Sequence, residues 1–203
     1  MPNIENEGQT SNEVIAVIKI GDDDFRIQRG GLLSEEDIQI IIDASHQDEE
    51  VIRFTRDAIR FENQKTFVEW LKKGRQIYIL RNHRGILVGI VWVGNEIIPV
   101  KFERTDLDLR LYPATSAIRI YGSARGKGLA VRFKALSLLD YLENIDQSAR
   151  GIWMENSIDN LAAIATNTKI GFEKRAIAGD KVLMTATKTT IQKTFADYLA
   201  KKS

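Results

Sequence analysis

The chain has 203 residues, enough for one ordinary domain with a substantial core, and its 43% hydrophobic and 28% charged content is typical of globular proteins. The formal net charge is +1, which argues against a dedicated nucleic-acid binder because such proteins usually carry a strong basic excess. Cysteine is absent, so disulfides, thiolate metal sites and cysteine nucleophiles are excluded.

The composition of residues 1–13 and the length of the apolar runs predict where in the cell the protein is found. Residues 1–13 are polar and acidic, lack the apolar core of a signal peptide, and are expected to form a flexible tail. The longest strongly apolar run, Ile86 to Gly94, is far shorter than the roughly 20 residues of a membrane span. We therefore expect a cytoplasmic, soluble protein without membrane contacts.

His46 and His83 are far apart and show no metal-ligand spacing, so no metal site is expected.

The first half of the chain predicts a hairpin, two helices and further strands. β-Branched residues before a glycine-aspartate turn indicate a strand, and Ser34 followed by three acids indicates the start of a helix. In chain order, the predicted elements are a strand at Val14–Ile20, a second arm at Phe25–Gln28, a helix from Ser34, a helix holding Phe67, Trp70 and Leu71, and strands at Gln76–Leu80 and Ile86–Val93.

The second half predicts strands around one long helix. The stretch 94–113 resembles a functional loop, and it carries Glu103, Asp106 and Asp108. The predicted elements that follow are a strand at Ser116–Tyr121, a helix from Gly128, a strand at Arg150–Glu155, a helix at Asn160–Thr168, strands at Phe172–Ala176 and Lys181–Thr187, and a C-terminal helix. The long helix is assigned an apolar stripe of Leu129, Phe133, Leu136, Leu139, Leu142 and Ile145. This order indicates an α/β fold with a mixed sheet.

A glycine-containing turn, Gly122 to Ala130, joins a predicted strand to the long helix. Helix N-termini and glycines together suit a phosphate group, and Arg125 and Lys127 would add charge at the mouth of the turn. Three residues separate Gly122 from Gly126, so the spacing of a P-loop is not met, and Lys127 is followed by glycine rather than Ser or Thr. The third glycine of a dinucleotide fingerprint is replaced by Val131.

Two motifs on these elements resemble the GNAT superfamily of N-acetyltransferases. The first, Gln/Arg-x-x-Gly-x-Gly/Ala at a strand-to-helix turn, is matched by Arg125, Gly128 and Ala130. The second lies downstream and is matched by Asn160, Ala163, Lys169, Gly171 and Phe172. The predicted element order from Ser34 to Thr187 is also similar to that of the family.

The resemblance implies a GNAT-like fold, with a central, mostly antiparallel sheet and helices on both faces. The acetyltransferase domain is then expected at residues 14–187. Residues 188–203 are expected to form an amphipathic helix, with Ile191, Phe195, Tyr198 and Leu199 on one face. That helix would pack on the domain or pair with a second copy in a homodimer.

The resemblance also implies acetyl-CoA as co-substrate. The pyrophosphate would bind the amides of the turn, at Gly126, Lys127, Gly128, Leu129 and Ala130. The pantetheine arm would pair with the backbone of Ile118 and Ile120, and Asn160 would hydrogen-bond the arm from the other side. Asn167 stands at the position where many members carry a tyrosine, and it is expected to contact the thiol end.

The implied reaction is direct attack of a primary amine on the thioester. The Ile120 N–H would stabilise the oxyanion, and Glu155 is the first candidate for the base. Glu103, Asp106, Asp108 or a water chain could replace Glu155. An amide at Asn167 cannot act as a general acid, so the thiolate would be protonated by water, by Tyr121 or Tyr112, or not before release. The acceptor is an amine of a small molecule or a protein, and the alternative is a CoA-binding regulatory or structural protein with little or no turnover.

Overall fold

The computed structural model describes residues 13–31, 33–102 and 107–201. The chain forms two compact units, and each is described by itself. Unit 1 is drawn from Met1–Trp92 and Ile118–Lys127, and unit 2 from Val93–Ala117 and Gly128–Ser203. The expected tail falls almost entirely on residues 1–12, which lie outside the described residues. No helix among the described residues is both long and apolar enough to cross a membrane.

Unit 1 begins with an antiparallel hairpin and continues with four short helices. Its elements are β1 (Val14–Ile20), β2 (Asp23–Gly30), α1 (Glu35–Gln47), α2 (Glu49–Phe54), α3 (Asp57–Arg60), α4 (Gln64–Leu71), β3 (Arg75–Arg81) and β4 (Leu87–Asn95), whose last three residues enter unit 2. The strand order is β1-β2-β3-β4. Ser34 begins α1 with a capping box that it shares with Asp37, as the sequence indicates.

The helices of unit 1 pack through aromatic side chains. Phe61, Phe67 and Trp70 meet at ring-centroid distances of 4.8 to 5.9 Å, and the Trp70 ring meets Trp92 of β4 edge to face at 5.4 Å. Such arrangements are favourable beyond the area that they bury. The helices α2 and α3 were not predicted, because helices of six and four residues are too short to show a helical period of apolar residues.

Unit 2 contains a parallel strand pair, two antiparallel pairs and three helices. Its elements are β5 (Ala114–Ile120, which ends in unit 1), α5 (Leu129–Asp140), β6 (Gly151–Ser157), α6 (Leu161–Ile170), β7 (Glu173–Ala178), β8 (Lys181–Thr187) and α7 (Lys188–Ala200). The strand order is β5-β6-β8-β7, with β5 and β6 parallel and the other two pairs antiparallel. The eight strands and seven helices of the described chain therefore make a mixed α/β fold, as predicted.

Several predicted bounds are wrong by a few residues. The strand predicted at Ser116–Tyr121 begins earlier and ends at Ile120, because Tyr121 already leads into a turn of 3₁₀ helix. The strand predicted at Arg150–Glu155 starts at Gly151 and runs on to Ser157. The strand predicted at Phe172–Ala176 is β7, while β8 has the predicted bounds.

The stripe assigned to the long helix is partly wrong. Ile145 is 42% exposed and ends a π-helical turn over Tyr141–Ile145, whereas Leu142 of the same turn is 1% exposed, as predicted. Leu136 and Leu139 are only half-buried. The face of α5 that is buried consists of Leu129, Val131, Phe133, Lys134, Ala135, Ser137, Leu138 and Asp140. Three polar side chains are thus part of a face that periodicity alone assigns to apolar residues.

The C-terminal helix packs on its own unit. Ile191 is fully buried and Phe195 is 5% exposed, and α7 contacts α5 and α6. Tyr198 is half-buried and Leu199 is 40% exposed, so only the first half of the predicted face is covered. This apolar surface is therefore used within the chain.

Candidate active site

The end of β5 is held within unit 1 by side chains. Arg119 donates from Nε to Asp57 Oδ2 at 2.6 Å and from a terminal nitrogen to the Ile118 carbonyl at 2.8 Å. The Ile120 carbonyl accepts from Arg125 Nε at 2.8 Å, and the Tyr121 amide donates to the Val88 carbonyl at 2.8 Å. The carbonyls of Ile118 and Ile120 therefore both accept hydrogen bonds from arginine side chains.

Arg125 and Lys127 were expected to point their charges at the mouth of the turn, and the structure pairs both with acids of unit 1. Arg125 donates to Asp48 Oδ2 at 2.5 Å and lies 3.5 Å from Glu50 Oε2. Lys127 Nζ lies 2.9 Å from Asp23 Oδ2. Arg125 also bonds the Ile120 carbonyl, so its guanidinium fixes the backbone of the turn rather than standing free for a phosphate.

The turn itself has the backbone that its glycines predict. Gly126 and Gly128 have φ angles of 75° and 74°, in the left-handed region that favours glycine. Gly128 is the N-cap of α5, and no side chain caps this helix. The N–H groups of the first turn of an α-helix have no partner within the helix, and the helix dipole makes this end positive. The geometry suits an anion that approaches the backbone closely.

Tyr121 is buried and directly precedes the turn. Burial is the main cause that raises the pKa of its phenol well above the ordinary value. A phenol that holds its proton so firmly can donate a hydrogen bond, but it is a poor source of a proton. Tyr112, the other candidate acid, packs in an apolar cluster with Ile98, Phe102 and Trp153 and is 6% exposed.

The parallel ladder between β5 and β6 is short. Although each strand has seven residues, the described ladder has two pairs, Ala114 with Ile152 and Thr115 with Trp153. On its other edge β6 pairs with β8 along its whole length, from Gly151 to Ser157. The edge of β6 that faces β5 is therefore outside this ladder from Met154 onward, and an extended ligand can pair with such an edge as an added strand.

Glu155 lies on that stretch of β6 and is engaged by a lysine. Lys101 Nζ lies 2.6 Å from Glu155 Oε2, and the two side chains are 42% and 27% exposed. Lys101 sits in a 3₁₀ turn at Val100–Phe102, in the stretch that the sequence marks as a functional loop. The ion pair thus connects this stretch to the β6 carboxylate.

Of the rival carboxylates, only Asp108 lies within the described residues. It is bound by Arg110, whose Nε donates to Asp108 Oδ1 at 2.8 Å, and this pair stands at the surface. The hydrogen bond from Arg110 is the main cause that lowers the pKa of Asp108. Glu103 and Asp106 lie outside the described residues.

Asn160 is the N-cap of α6. Its Oδ1 accepts from the Ala163 amide at 3.0 Å, as expected of a capping asparagine. Because the cap uses the oxygen, a contact with a ligand would have to come from the amide nitrogen. The helix ends at Gly171, whose φ of 104° is also left-handed.

Asn167 is buried, with 1% exposure, and belongs to a polar cluster within unit 2. Its Oδ1 accepts from Lys134 Nζ at 2.8 Å, and its Nδ2 donates to Asn156 Oδ1 at 3.3 Å. The sequence motifs mark Asn167 but not Lys134, Asn156 or Lys101. Lys134 could have been found as the one charged residue between Phe133 and Leu138, whereas nothing in the sequence marks Asn156 or Lys101.

The predicted site residues divide between the two units. Ile118, Ile120, Tyr121, Arg125, Gly126 and Lys127 belong to unit 1, and Gly128, Leu129, Ala130, Glu155, Asn160 and Asn167 belong to unit 2. Within unit 1 the structure joins Arg125 to Ile120 by a hydrogen bond. Within unit 2, the hydrogen bonds of Asn160 and Asn167 go to different partners, Ala163 for the first and Lys134 and Asn156 for the second.

Comparison with known proteins finds no matching family model and no matching curated protein. Solved structures do match. *Vibrio cholerae* spermidine N-acetyltransferase, solved with CoA and spermine, is 15% identical, with a TM-score of 0.61 over 83% of this chain and 98% of its own. *Mycobacterium smegmatis* RimJ, solved with CoA-disulfide, is 11% identical, with a TM-score of 0.66 over 92% and 94%.

A third match is the aminoglycoside acetyltransferase AAC(6')-Ib, solved with coenzyme A and kanamycin. It is 17% identical, with a TM-score of 0.62 over 84% of this chain and 98% of its own. These identities are too low to carry an activity across, but the coverage extends over nearly the whole of each matched chain. The fold of this chain is therefore the fold of the GNAT N-acetyltransferases.

Proposed function

We propose that this protein transfers an acetyl group from acetyl-CoA to a primary amine by direct attack of the amine on the thioester. The observation that supports this most is the short ladder of β5 and β6. Two residue pairs are followed by a stretch of β6 whose edge is outside the ladder, and the amides of a pantetheine arm can pair with such an edge. The fold likeness supports the same reading.

The start of α5 is proposed to bind the pyrophosphate. Gly126 and Gly128 hold left-handed conformations, and α5 has no side-chain cap, so ligand oxygens can accept from the amides of the turn through Leu129 and Ala130. Arg125 contributes by fixing the carbonyl of Ile120. The Ile120 amide is proposed to stabilise the oxyanion.

Glu155 is proposed as the base that accepts a proton from the substrate's ammonium. Its contact with Lys101 supports this role, because the carboxylate already binds a primary ammonium at 2.6 Å. The substrate amine would displace that ammonium and bind the same oxygen. The acceptor is thus proposed to be a cationic amine of a small molecule or a protein, in a soluble compartment of the cell.

The donor site can be tested without knowledge of the acceptor. Calorimetric titration of CoA and acetyl-CoA into the wild-type protein should give micromolar binding. Gly128→Asp should abolish it, because a carboxylate at the N-cap of α5 would repel a pyrophosphate and compete for the same amides.

Gly85→Asp is the matched control. Gly85 has a φ of 77° and open space around it, so the same substitution brings a similar backbone penalty outside the proposed site. Equal loss of binding in both variants would assign the effect to strain. Absence of CoA binding by folded wild-type protein would refute the proposed function. Binding without release of CoA from acetyl-CoA in the presence of amines would favour the alternative, a CoA-binding protein without turnover.

A further inference from the structure

Unit 2 contains a buried lysine to which the proposed mechanism assigns no role. Lys134 of α5 is 2% exposed, and its ammonium contacts Asn167 Oδ1 at 2.8 Å and the Met154 sulfur at 3.2 Å. The Phe172 ring lies 5.7 Å from the ammonium. Burying an amine is costly unless hydrogen bonds compensate it, and the contacts with Asn167 and Met154 contribute to that compensation.

The neighbours of Lys134 include a donor that has no acceptor. Asn156 Nδ2 is buried without a hydrogen-bond partner, while its Oδ1 accepts from Asn167. Buried polar groups without partners are rare in folded proteins and need an explanation. An amide nitrogen is only a donor, so the missing partner is an acceptor. The cluster thus places a cation and an unused donor close together.

The strand register shows which face of the strands this cluster occupies. Side chains alternate along a strand, so Met154 and Asn156 share the face that α5 covers, together with Ile152. In β5, Ala114 pairs with Ile152, which places Ser116 on the same face. Ser116 Oγ is also buried without a partner. The unpaired polar groups therefore lie on one face, just past the point where the β5–β6 ladder ends.

We propose that Lys134, Asn156 and Asn167 bind the sulfur of coenzyme A and stabilise it as a thiolate when it leaves. This inference rests on the proposed function. An acetyl transfer creates one sulfur anion, and a buried ammonium beside an unused N–H suits such an acceptor.

The chemical step balances with these groups. The neutral amine nitrogen forms a bond to the carbonyl carbon, the carbon–sulfur bond breaks, and its electron pair stays on sulfur. The nitrogen then releases its extra proton to solvent as the amide forms. The thiolate then remains paired with the Lys134 ammonium or takes a proton from it, and solvent returns that proton to the amine of the lysine. Asn167 orients the ammonium through its Oδ1 and needs no acidic proton of its own.

The test compares CoA with desulfo-CoA, which lacks the sulfur, by calorimetry at pH 8.5. The mildly alkaline pH favours the thiolate form of the sulfur, which is the form that the site is proposed to bind. The wild-type protein should bind CoA at least about tenfold more tightly than desulfo-CoA, since each unit by which binding lowers the thiol's pKa corresponds to about tenfold in affinity. Lys134→Met should bring the ratio of the two dissociation constants close to one, with little change for desulfo-CoA.

If Lys134 had only a structural role, Lys134→Met would weaken the binding of CoA and of desulfo-CoA equally. The ratio of the two dissociation constants would then be unchanged, and the inference would be overturned. Lys193→Met, an exposed change on α7, is the control for loss of a lysine. If Lys134→Met does not fold, Asn156→Ala serves instead, because it removes the unused donor, and the ratio should again fall. Failure of the wild-type protein to bind either ligand would refute the proposed function itself, whereas equal binding of both would refute only the sulfur site.

Discussion

Lys101 and Glu155 form an ion pair between half-exposed side chains, in which the lysine occupies the carboxylate oxygen that a substrate amine would use. Exposed pairs contribute only about 0.2–1 kcal/mol, so the contact is easily exchanged. If Glu155 is the base, as proposed, the lysine would compete with the acceptor amine for this oxygen. Its sequence distance from Glu155 is 54 residues, and no local pattern shows such a pairing.

Lys101→Met is predicted to raise kcat/KM for cationic amines about 1.4-fold to fivefold, because the competing ion pair is worth about 0.2–1 kcal/mol. The measurement is release of the CoA thiol with a panel of primary amines, which a thiol reagent reports cleanly since the chain has no cysteine. Lys174→Met, on the exposed side of β7, should leave the rate unchanged. A lower kcat/KM in Lys101→Met would show that the lysine positions Glu155 rather than competing for it.

The residues of the candidate site were predictable where local backbone chemistry decides them. Gly126 and Gly128 take left-handed angles, and Asn160 caps α6, because these residue types have strong intrinsic preferences there. The contacts of Arg125 and Lys127 were not predictable, since their partners Asp48 and Asp23 are 77 and 104 positions away in the sequence. Contacts of this range depend on the folded chain and leave no local signal.

At the scale of elements, α6 and α7 approach each other closely at one glycine. A Cβ atom at Gly171 would lie 2.9 Å from the Thr190 carbonyl oxygen and 2.9 Å from Thr194 Oγ1, and the φ of 104° already disfavours any side chain. The end of α6 therefore approaches the first turns of α7 closely. This contact fixes how the C-terminal helix packs in unit 2.

Gly171→Ala is predicted to lower the free energy of unfolding by about 2–4 kcal/mol, since it combines left-handed strain with overpacking against α7. Urea denaturation followed by circular dichroism measures the loss. Gly179→Ala is the matched control, because Gly179 also has a positive φ of 60° but open space around it. That variant should lose only about 1–2 kcal/mol. Equal losses would mean that the backbone angle alone, and not the approach of α7, decides the cost.

The elements that the sequence predicted best are those with a strong end signal. The capping serine marks α1, and Gly179-Asp180 marks the turn before β8, whose bounds are as predicted. The helix α5 was located correctly, but its buried face was not, because that face includes Lys134, Ser137 and Asp140, which an apolar period does not mark. The burial of such polar side chains follows from tertiary packing rather than from local sequence.

For the whole molecule, stability in acid depends on carboxylates that the fold holds ionised. Burial is the largest single cause acting on Asp37 and Asp48, and it raises their pKa values. The hydrogen bonds and charges of Arg81 and Arg125, together with hydrogen bonds from neighbouring groups of the chain, outweigh burial, so both pKa values lie below 3.8. The hydrogen bond from Ser148 is the main cause that lowers the pKa of Asp146. Unit 1 holds the first two of these groups and unit 2 the third.

A carboxylate with a lowered pKa stabilises the folded state above its ordinary pKa, and this contribution is lost as the pH falls through the folded value. The free energy of unfolding is therefore predicted to be nearly constant from pH 7 to 5 and to fall below about pH 4. Urea denaturation at pH 7, 5 and 3.5 measures it. Asp37→Asn should be less stable at pH 7 and should lose less on acidification, and a wild-type stability that is unchanged at pH 3.5 would contradict the prediction.

The tryptophans give each compact unit its own optical signal. Trp70 and Trp92 pack edge to face in unit 1, and the Arg75 guanidinium lies 4.9 Å from the centre of the Trp70 ring. Trp153 of unit 2 donates from its ring nitrogen to the Glu96 carbonyl at 2.8 Å. The chain has no other tryptophan. A protein carrying Trp70→Phe and Trp92→Phe would fluoresce from unit 2 alone, and one carrying Trp153→Phe from unit 1 alone. The melting of each unit could then be followed in the intact chain without any attached dye.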